Sequence, residues 1–204
     1  MSLKVLVLLG SVREGRNGEM VAKFIAKKIE ESGHDAEIID PLELDLPLLK
    51  KPVHFYMNQS EVPAVLRELD AKIRQADAYV LVSPEYNRNI PPALTNLLDH
   101  FPPSSFGFKT SAIVTYSMGF GGSMVGMALR AMMVEMGAAP IPYLFSITQV
   151  QNLFDKKGSP HQTDIDRLSK NVSSMLKQME WYGNALRNHR QTFGVPKWGP
   201  VLSV

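Results

Sequence analysis

Residues 3–9 are apolar at almost every position, so both faces of an extended segment are buried there, as in a central strand of a parallel sheet. Over 17–32 the apolar residues Met20, Val21, Phe24, Ile25 and Ile29 recur at helical spacing, and Gly33 supplies a stop. Residues 36–39 read as a short second strand. Residues 41–60 follow neither period and contain Pro41, Pro47 and Pro52, which predicts a long loop. Such a loop is uncommon in a compact domain unless it covers something or joins subunits. Ser60 is placed to cap a helix whose stripe is Val62, Val65, Leu66, Leu69 and Ile73. The run AYVLVS at 78–83 is a buried strand, and Pro91-Pro92 suit the first turn of a short helix with Leu94, Leu97 and Leu98 on its apolar side. A fourth strand over 111–116 leads through a glycine-rich turn into a helix over about 123–136, and a short fifth strand falls between 140 and 147. Thr163 with Asp166 has the form of a capping box opening a long helix through Ile165, Leu168, Val172, Met175, Met179 and Leu186.

Five alternations of strand and helix at these spacings predict an α/β fold, a parallel sheet with helices on both faces. No internal repeat interrupts it, so 1–192 reads as one domain and 193–204, with Pro196, Gly199 and Pro200, as an irregular tail. In such sheets a ligand sits at the carboxyl ends of the strands, near the point where strand order reverses. The loops after strands one, three and four are therefore where function is expected.

Composition narrows the classes. With 45% hydrophobic and 21% charged residues the 204-residue chain has an ordinary globular balance, and a net charge of +2 with no basic stripe speaks against a nucleic-acid partner. The lysines at 23, 27 and 28 read as the solvated side of a helix. There is no cysteine, which excludes disulfides, thiolate nucleophiles and Cys-ligated metals. The five histidines, at 34, 54, 100, 161 and 189, form no ligand-spaced set, so no metal is expected. The opening apolar run is too short to span a bilayer and no cleavage site follows it, so the expectation is a cytoplasmic protein with no membrane partner.

The first loop, Gly10 to Gly18, carries Ser11, Arg13, Arg16 and Asn17 ahead of a helix whose amides favour an anion. It is either a phosphate site or an ordinary strand-to-helix turn with surface arginines. Neither G-x-G-x-x-G nor G-x-x-x-x-G-K-[ST] occurs, so a phosphate here suggests a mononucleotide. The second loop, Pro84-Glu85-Tyr86-Asn87-Arg88-Asn89-Ile90-Pro91, puts a tyrosine at a strand end, where it packs on a flat ring or covers the edge of the core. The third, Ser117-Met118-Gly119-Phe120-Gly121-Gly122, lets backbone approach a ligand closely. Ser117 lies between strand and helix like a nucleophile, but Thr115 stands where G-x-S-x-G needs glycine, which disfavours a hydrolase.

Together GSVREGRNG at 10–18, SPEYNRNIPPALTNLLD at 83–99 and KTSAIVTYSMGFGG at 109–122 resemble the NADPH-dependent FMN reductase family of quinone, azo and chromate reductases. The likeness runs over about residues 3–145. It implies a flavodoxin-like three-layer sandwich with strand order 2-1-3-4-5 and a non-covalent FMN. It also implies that Ser11, Arg13, Arg16, Asn17 and Gly18 hold the phosphate, that Pro84, Glu85, Tyr86 and Asn87 line the isoalloxazine, and that Ser117, Met118 and Gly119 close its other side. Members are usually homodimers or homotetramers in which a neighbouring subunit helps wall the pocket. The chain departs from many members at Arg16, Gly18, Thr95 and His100.

The implied reaction passes hydride from NADPH or NADH to the flavin and then to a small acceptor such as a quinone, free flavin or azo compound, by a ping-pong mechanism. The flavin carries the chemistry, so no catalytic side chain is expected. Glu85 reads as a loop-fixing carboxylate, with a proton relay as the alternative. The methionines between 118 and 136 read as core or interface packing, and Arg187 and Arg190 as a solvated helix end. The competing readings are a non-catalytic FMN protein for electron transfer, although the T-x-T-G-N-T loop of flavodoxins is missing, and a redox sensor acting through its oligomer.

Overall fold

The computed structural model describes residues 2–155 and 157–196. Its sheet has five parallel strands in the order β2-β1-β3-β4-β5, with β1 Lys4–Leu9, β2 Asp35–Ile39, β3 Ala78–Pro84, β4 Lys109–Tyr116 and β5 Ala138–Ile147. Every residue of β3 and β4 is buried, because helices cover both sides. The side chains divide by parity. Val5, Val7, Leu9, Val80, Val82 and Val114 face α1 (Gly18–Glu31) and α7 (Ile165–Phe193). Leu6, Leu8, Tyr79, Leu81 and Ile113 face α3 (Ala64–Gln75), α4 (Pro92–Asp99) and α6 (Ser123–Glu135). The period of two in a strand thus produces two cores, one on each side of the sheet. Strand order reverses at β1, between β2 and β3, which opens a crevice above the carboxyl ends of β1 and β3. No described helix is long and apolar enough to cross a membrane.

Several local expectations are corrected. The segment 41–60 contains a helical turn α2 (Pro41–Leu44), and 3-10 turns at Val53–Phe55 and Gln59–Glu61. It covers the second core: Asn96 of α4 accepts from the Leu49 amide at 2.8 Å, and the buried His100 ring meets the Pro47 carbonyl at 3.1 Å. Ser60 does not cap α3. Val62, next to Pro63, is extended, and proline disfavours a helical residue before it, so α3 begins only at Ala64. The Thr163–Asp166 capping box does not form, because Thr163 donates to Asp164 instead, at 3.0 Å, and α7 has no side-chain cap. The fifth strand is longer than expected, with a register shift opposite Ser111 and Ile113. An edge strand tolerates Pro140 and Pro142, which cannot donate to a ladder. The helix α7 runs on to Phe193, where an irregular tail was expected to start; residues 197–204 of that tail lie outside the described residues.

Near the end of α7 the two arginines turn inward, although Asn188, His189 and residues 191–193 are exposed. Arg187 and Arg190 both reach Asp77, at 3.4 and 2.9 Å, and Asp77 also accepts from the Lys4 amide at 3.1 Å. Twenty-nine helical residues carry these arginines back across the sheet to the amino ends of β1 and β3.

Candidate functional site

Three loops meet at the carboxyl ends of β1, β3 and β4 around a cleft of about 340 Å³. Of the twelve residues expected there, Ser11, Arg13, Arg16, Asn17, Pro84, Glu85, Tyr86, Ser117 and Met118 line it, together with Glu14, Gly15, Tyr116 and Val150. Gly18, Asn87 and Gly119 lie in the same three loops but do not line the cleft.

The first loop continues β1 by one bond, from the Gly10 amide to the Val82 carbonyl at 2.8 Å, and then turns away from the sheet. Ser11 is buried, and its hydroxyl accepts from the Arg13 amide at 3.3 Å. Arg16 does not project into solvent. Its guanidinium forks onto both carboxylate oxygens of Asp40 and donates to the Ser11 carbonyl at 2.6 Å. Asp40 also caps α2 by accepting from the Leu42 amide at 2.9 Å, so one buried carboxylate ties the first loop to the end of β2. Arg13 is exposed and its guanidinium lies 5.2 Å from the centre of the Tyr86 ring. Asn17 stands at the N-cap of α1 without a side-chain capping bond, which leaves the helix's first amides to an outside acceptor.

The second loop is a tight turn. Tyr86 and Asn89 exchange backbone bonds at 3.2 and 3.0 Å, and Asn87 and Arg88 both have positive φ, 52° and 65°. The Tyr86 hydroxyl reaches across the cleft to the Ser11 hydroxyl at 2.6 Å. Glu85 turns the other way and accepts from the amides of Met124 and Val125 at 3.0 and 3.1 Å, capping α6. That is the loop-fixing role expected for it.

The third loop is organised by Ser117, whose hydroxyl accepts from the Gly119 and Gly121 amides at 3.2 and 2.7 Å. Thr115 donates to the Gly121 carbonyl at 2.6 Å, and Gly121 and Gly122 take φ of 83° and 76°. The Ser117 oxygen thus serves as a turn acceptor, and no histidine lines the cleft. Met118 and Phe120 stay exposed beside it, as do Met124 and Met127 on α6, whereas Met133 and Met136 are in the core.

Two participants escaped the sequence reading. Tyr116, the last residue of β4, pairs in register with Pro84 and turns its ring under the cleft. Its position directly before Ser117, in a run already singled out, was the available signal. Asp40 carried only the weaker signal of a carboxylate at the end of a short strand. Burial, with Tyr86 close by, pushes the Tyr116 phenol well above its ordinary range, so it keeps its proton.

Known proteins resemble this chain in sequence and in fold. The model of the family described as NADPH-dependent FMN reductase matches residues 3–152. A quinone reductase of Escherichia coli K12 is 35% identical over 140 residues, covering 67% of this chain and 72% of its own. An FMN-dependent NADPH-azoreductase of Staphylococcus saprophyticus is 28% identical over 167 residues, 81% of each chain. Among solved structures, FerB, a flavoenzyme NAD(P)H:(acceptor) oxidoreductase from Paracoccus denitrificans, superposes with a TM-score of 0.72 at 21% identity, over 88% of this chain and 98% of that one.

Proposed function

Since the chain belongs to the NADPH-dependent FMN reductase family, we propose that the cleft at the ends of β1, β3 and β4 is the site where FMN binds and a small acceptor is reduced at the expense of NADPH or NADH. The observation that carries this reading is the convergence of three chemically different walls on one crevice: an uncapped helix N-terminus with an exposed arginine, an aromatic turn, and a glycine turn.

The residues present fit the group. A phosphate monoester needs donors and positive charge, and Ser11, Arg13, Asn17 and the first amides of α1 supply both. The Tyr116 hydroxyl, buried beneath the loop against the Gly18 backbone, finds no acceptor for its proton among the described residues, which leaves that proton for a ligand. Arg16 and Gly18 belong to this phosphate loop in a different sense: Arg16 braces it through Asp40, and Gly18 opens the helix. Pro84, Glu85 and Tyr86 provide the ring-side wall and Ser117 and Met118 the opposite one, while Asn87 and Gly119 shape the turns behind them. Bound there, FMN would supply the redox chemistry between the nicotinamide and the acceptor. The protein's share is to hold and orient: Glu85 fixes the second loop to α6, and Ser117 folds the third loop upon itself.

The acceptor we favour is a quinone or an azo compound, because the relatives bear those names. Alternating use of one cleft by dinucleotide and acceptor gives ping-pong kinetics. The exposed apolar residues Met118, Phe120, Met124 and Met127 support a homo-oligomer, dimer or tetramer, whose second subunit covers this side of the cleft. The cytoplasm, where NAD(P)H is supplied, suits the reaction.

The test is an ultraviolet–visible spectrum of protein reconstituted with FMN and desalted, followed by anaerobic NADPH. Co-eluting flavin bands that bleach support a reductase, and initial rates against both substrates then read the ping-pong pattern. Loss of all flavin on desalting sinks the reading. Retained flavin that bleaches with neither NADPH nor NADH moves the protein to electron transfer or sensing.

A further inference from the structure

Tyr116 is 4% exposed, and its hydroxyl lies against the start of α1. A Cβ at position 18 would overlap that hydroxyl, so glycine is what allows the helix's first residue and the phenol to share the space. Tyr86, Arg16 and Arg13 are the charged and titratable groups around it. A buried phenol normally finds a partner. This one meets only the Gly18 backbone at the start of α1, and no acceptor for its proton among the described residues.

Arg16 is not the donor that completes the set. Its guanidinium is occupied by both oxygens of Asp40 and by the Ser11 carbonyl. What remains for an anion at the first turn of α1 is the exposed Arg13, the Ser11 hydroxyl now shared with Tyr86, the helix amides, and the Tyr116 hydroxyl. Resting on the FMN reading above, we infer that Tyr116 is a binding residue for the cofactor's phosphate, its hydroxyl donating to a phosphate oxygen held at the N-terminus of α1. The Tyr86–Ser11 bond closes over this position and opens as the phosphate enters, passing the Ser11 hydroxyl to the ligand. A neutral, directional donor of this kind distinguishes the phosphorylated flavin from riboflavin, since it contributes only when the phosphate is there.

The test compares wild type with Tyr116→Phe, which keeps the ring and deletes only the hydroxyl. Dissociation constants for FMN and riboflavin are read from flavin fluorescence, inorganic phosphate binding from calorimetry, and the ligand-free melting temperature from circular dichroism. The expected result is a loss of about ten- to a hundredfold in affinity for FMN, the range for a hydrogen bond to a charged acceptor. Phosphate binding weakens as well, riboflavin stays within about twofold, and the ligand-free protein melts at the same temperature or higher, because an unpaired buried hydroxyl has been removed. Unchanged FMN affinity overturns the assignment, as do equal losses for FMN and riboflavin. A lowered melting temperature of the ligand-free variant also overturns it, by marking the hydroxyl as structural. Should wild type retain no flavin, the functional reading fails, and the phosphate measurement still decides the role of Tyr116: weaker binding by the variant upholds it, equal binding overturns it.

Discussion

Glu85 at the end of β3 and Val125 in the first turn of α6 are forty residues apart and joined by a hydrogen bond of 3.1 Å from the Val125 amide to the carboxylate. With the companion bond from Met124, this fastens the tyrosine turn to the helix that follows the glycine turn, so two walls of the cleft are tied together. Glu85→Ala is expected to lose about 1–2 kcal/mol of stability, from the cap and the charge–dipole interaction together. Flavin affinity should fall severalfold. Glu85→Gln, which still accepts, should keep most of both. Urea unfolding and flavin titration of the two variants check this, and equal behaviour of Ala and Gln would contradict it.

Asp40 and Arg16 form a buried bidentate pair, with side-chain exposures of 7% and 8%. Asp40→Ala leaves a guanidinium without its counter-charge beneath the first loop, at a cost of about 3–5 kcal/mol. Replacing both, as Arg16→Met with Asp40→Leu, should recover a good part of that stability without restoring flavin affinity, because the brace on the Ser11 carbonyl is gone. A double-mutant cycle in urea, with flavin binding measured on each protein, separates the two effects.

Asp77 faces two arginines, Arg187 and Arg190, at the amino end of the sheet. Asp77→Asn is expected to destabilise by about 3 kcal/mol or more, since it leaves two poorly solvated cations facing each other. The site lies at the other end of the strands from the cleft, so the affinity for FMN should stay within about twofold of wild type. A large loss of flavin affinity in the folded variant would show that the two ends are coupled.

Lys109 is buried below the sheet, where its ammonium donates to the carbonyls of Ile73, Arg74 and Ser105 and contacts the Tyr79 hydroxyl, at 2.6, 2.9, 3.2 and 2.9 Å. Burial, reinforced by the nearby Arg190 charge, lowers its pKa from 10.5 to about 7. Between those values the folded protein binds fewer protons at this site than the unfolded chain does. The lysine's contribution to stability therefore rises with pH from about 7 to about 10.5, with a slope of at most about 1.4 kcal/mol per pH unit, and is lost again as pH falls toward 7. Urea unfolding of wild type and Lys109→Met across this window should show the slope in wild type and its absence in the variant. Parallel profiles would contradict it.

Arg88 occupies a left-handed conformation with φ of 65°, next to Asn87 at 52°. Asparagine tolerates this region and arginine does so at a cost. Arg88→Gly is expected to stabilise the turn by about 0.5–1 kcal/mol, raising the melting temperature. Comparing KM for NADPH and NADH in the same variant tests whether this exposed arginine meets the 2′-phosphate: a rise for NADPH alone would assign it that role.

By itself the sequence determined the order and kind of the elements. Successive apolar residues at 3–9 and 78–83 marked strands covered on both faces, and stripes such as Leu66, Leu69 and Ile73 marked helices with one buried side. These signals are local, since each residue's burial follows from the period of its own element. The same alternation pointed to the loops after the first, third and fourth strands as the place for a ligand, and nine of the twelve residues that the family resemblance implied there line one cleft. Local reading failed where two local rules competed, as at Ser60, where Pro63 and not a capping hydroxyl decided the start of α3. Tertiary structure alone decided the partners. Nothing near Arg16 indicates that Asp40, 24 residues on, takes its charge. Nothing near Arg190 points to Asp77, 113 residues back. Nothing in β4 shows that the Tyr116 hydroxyl comes to rest on Gly18. A side chain's periodicity says which way it faces, but the charge or donor it meets there is set by how distant segments cross, and that is decided only when the sheet closes its order and the helices dock.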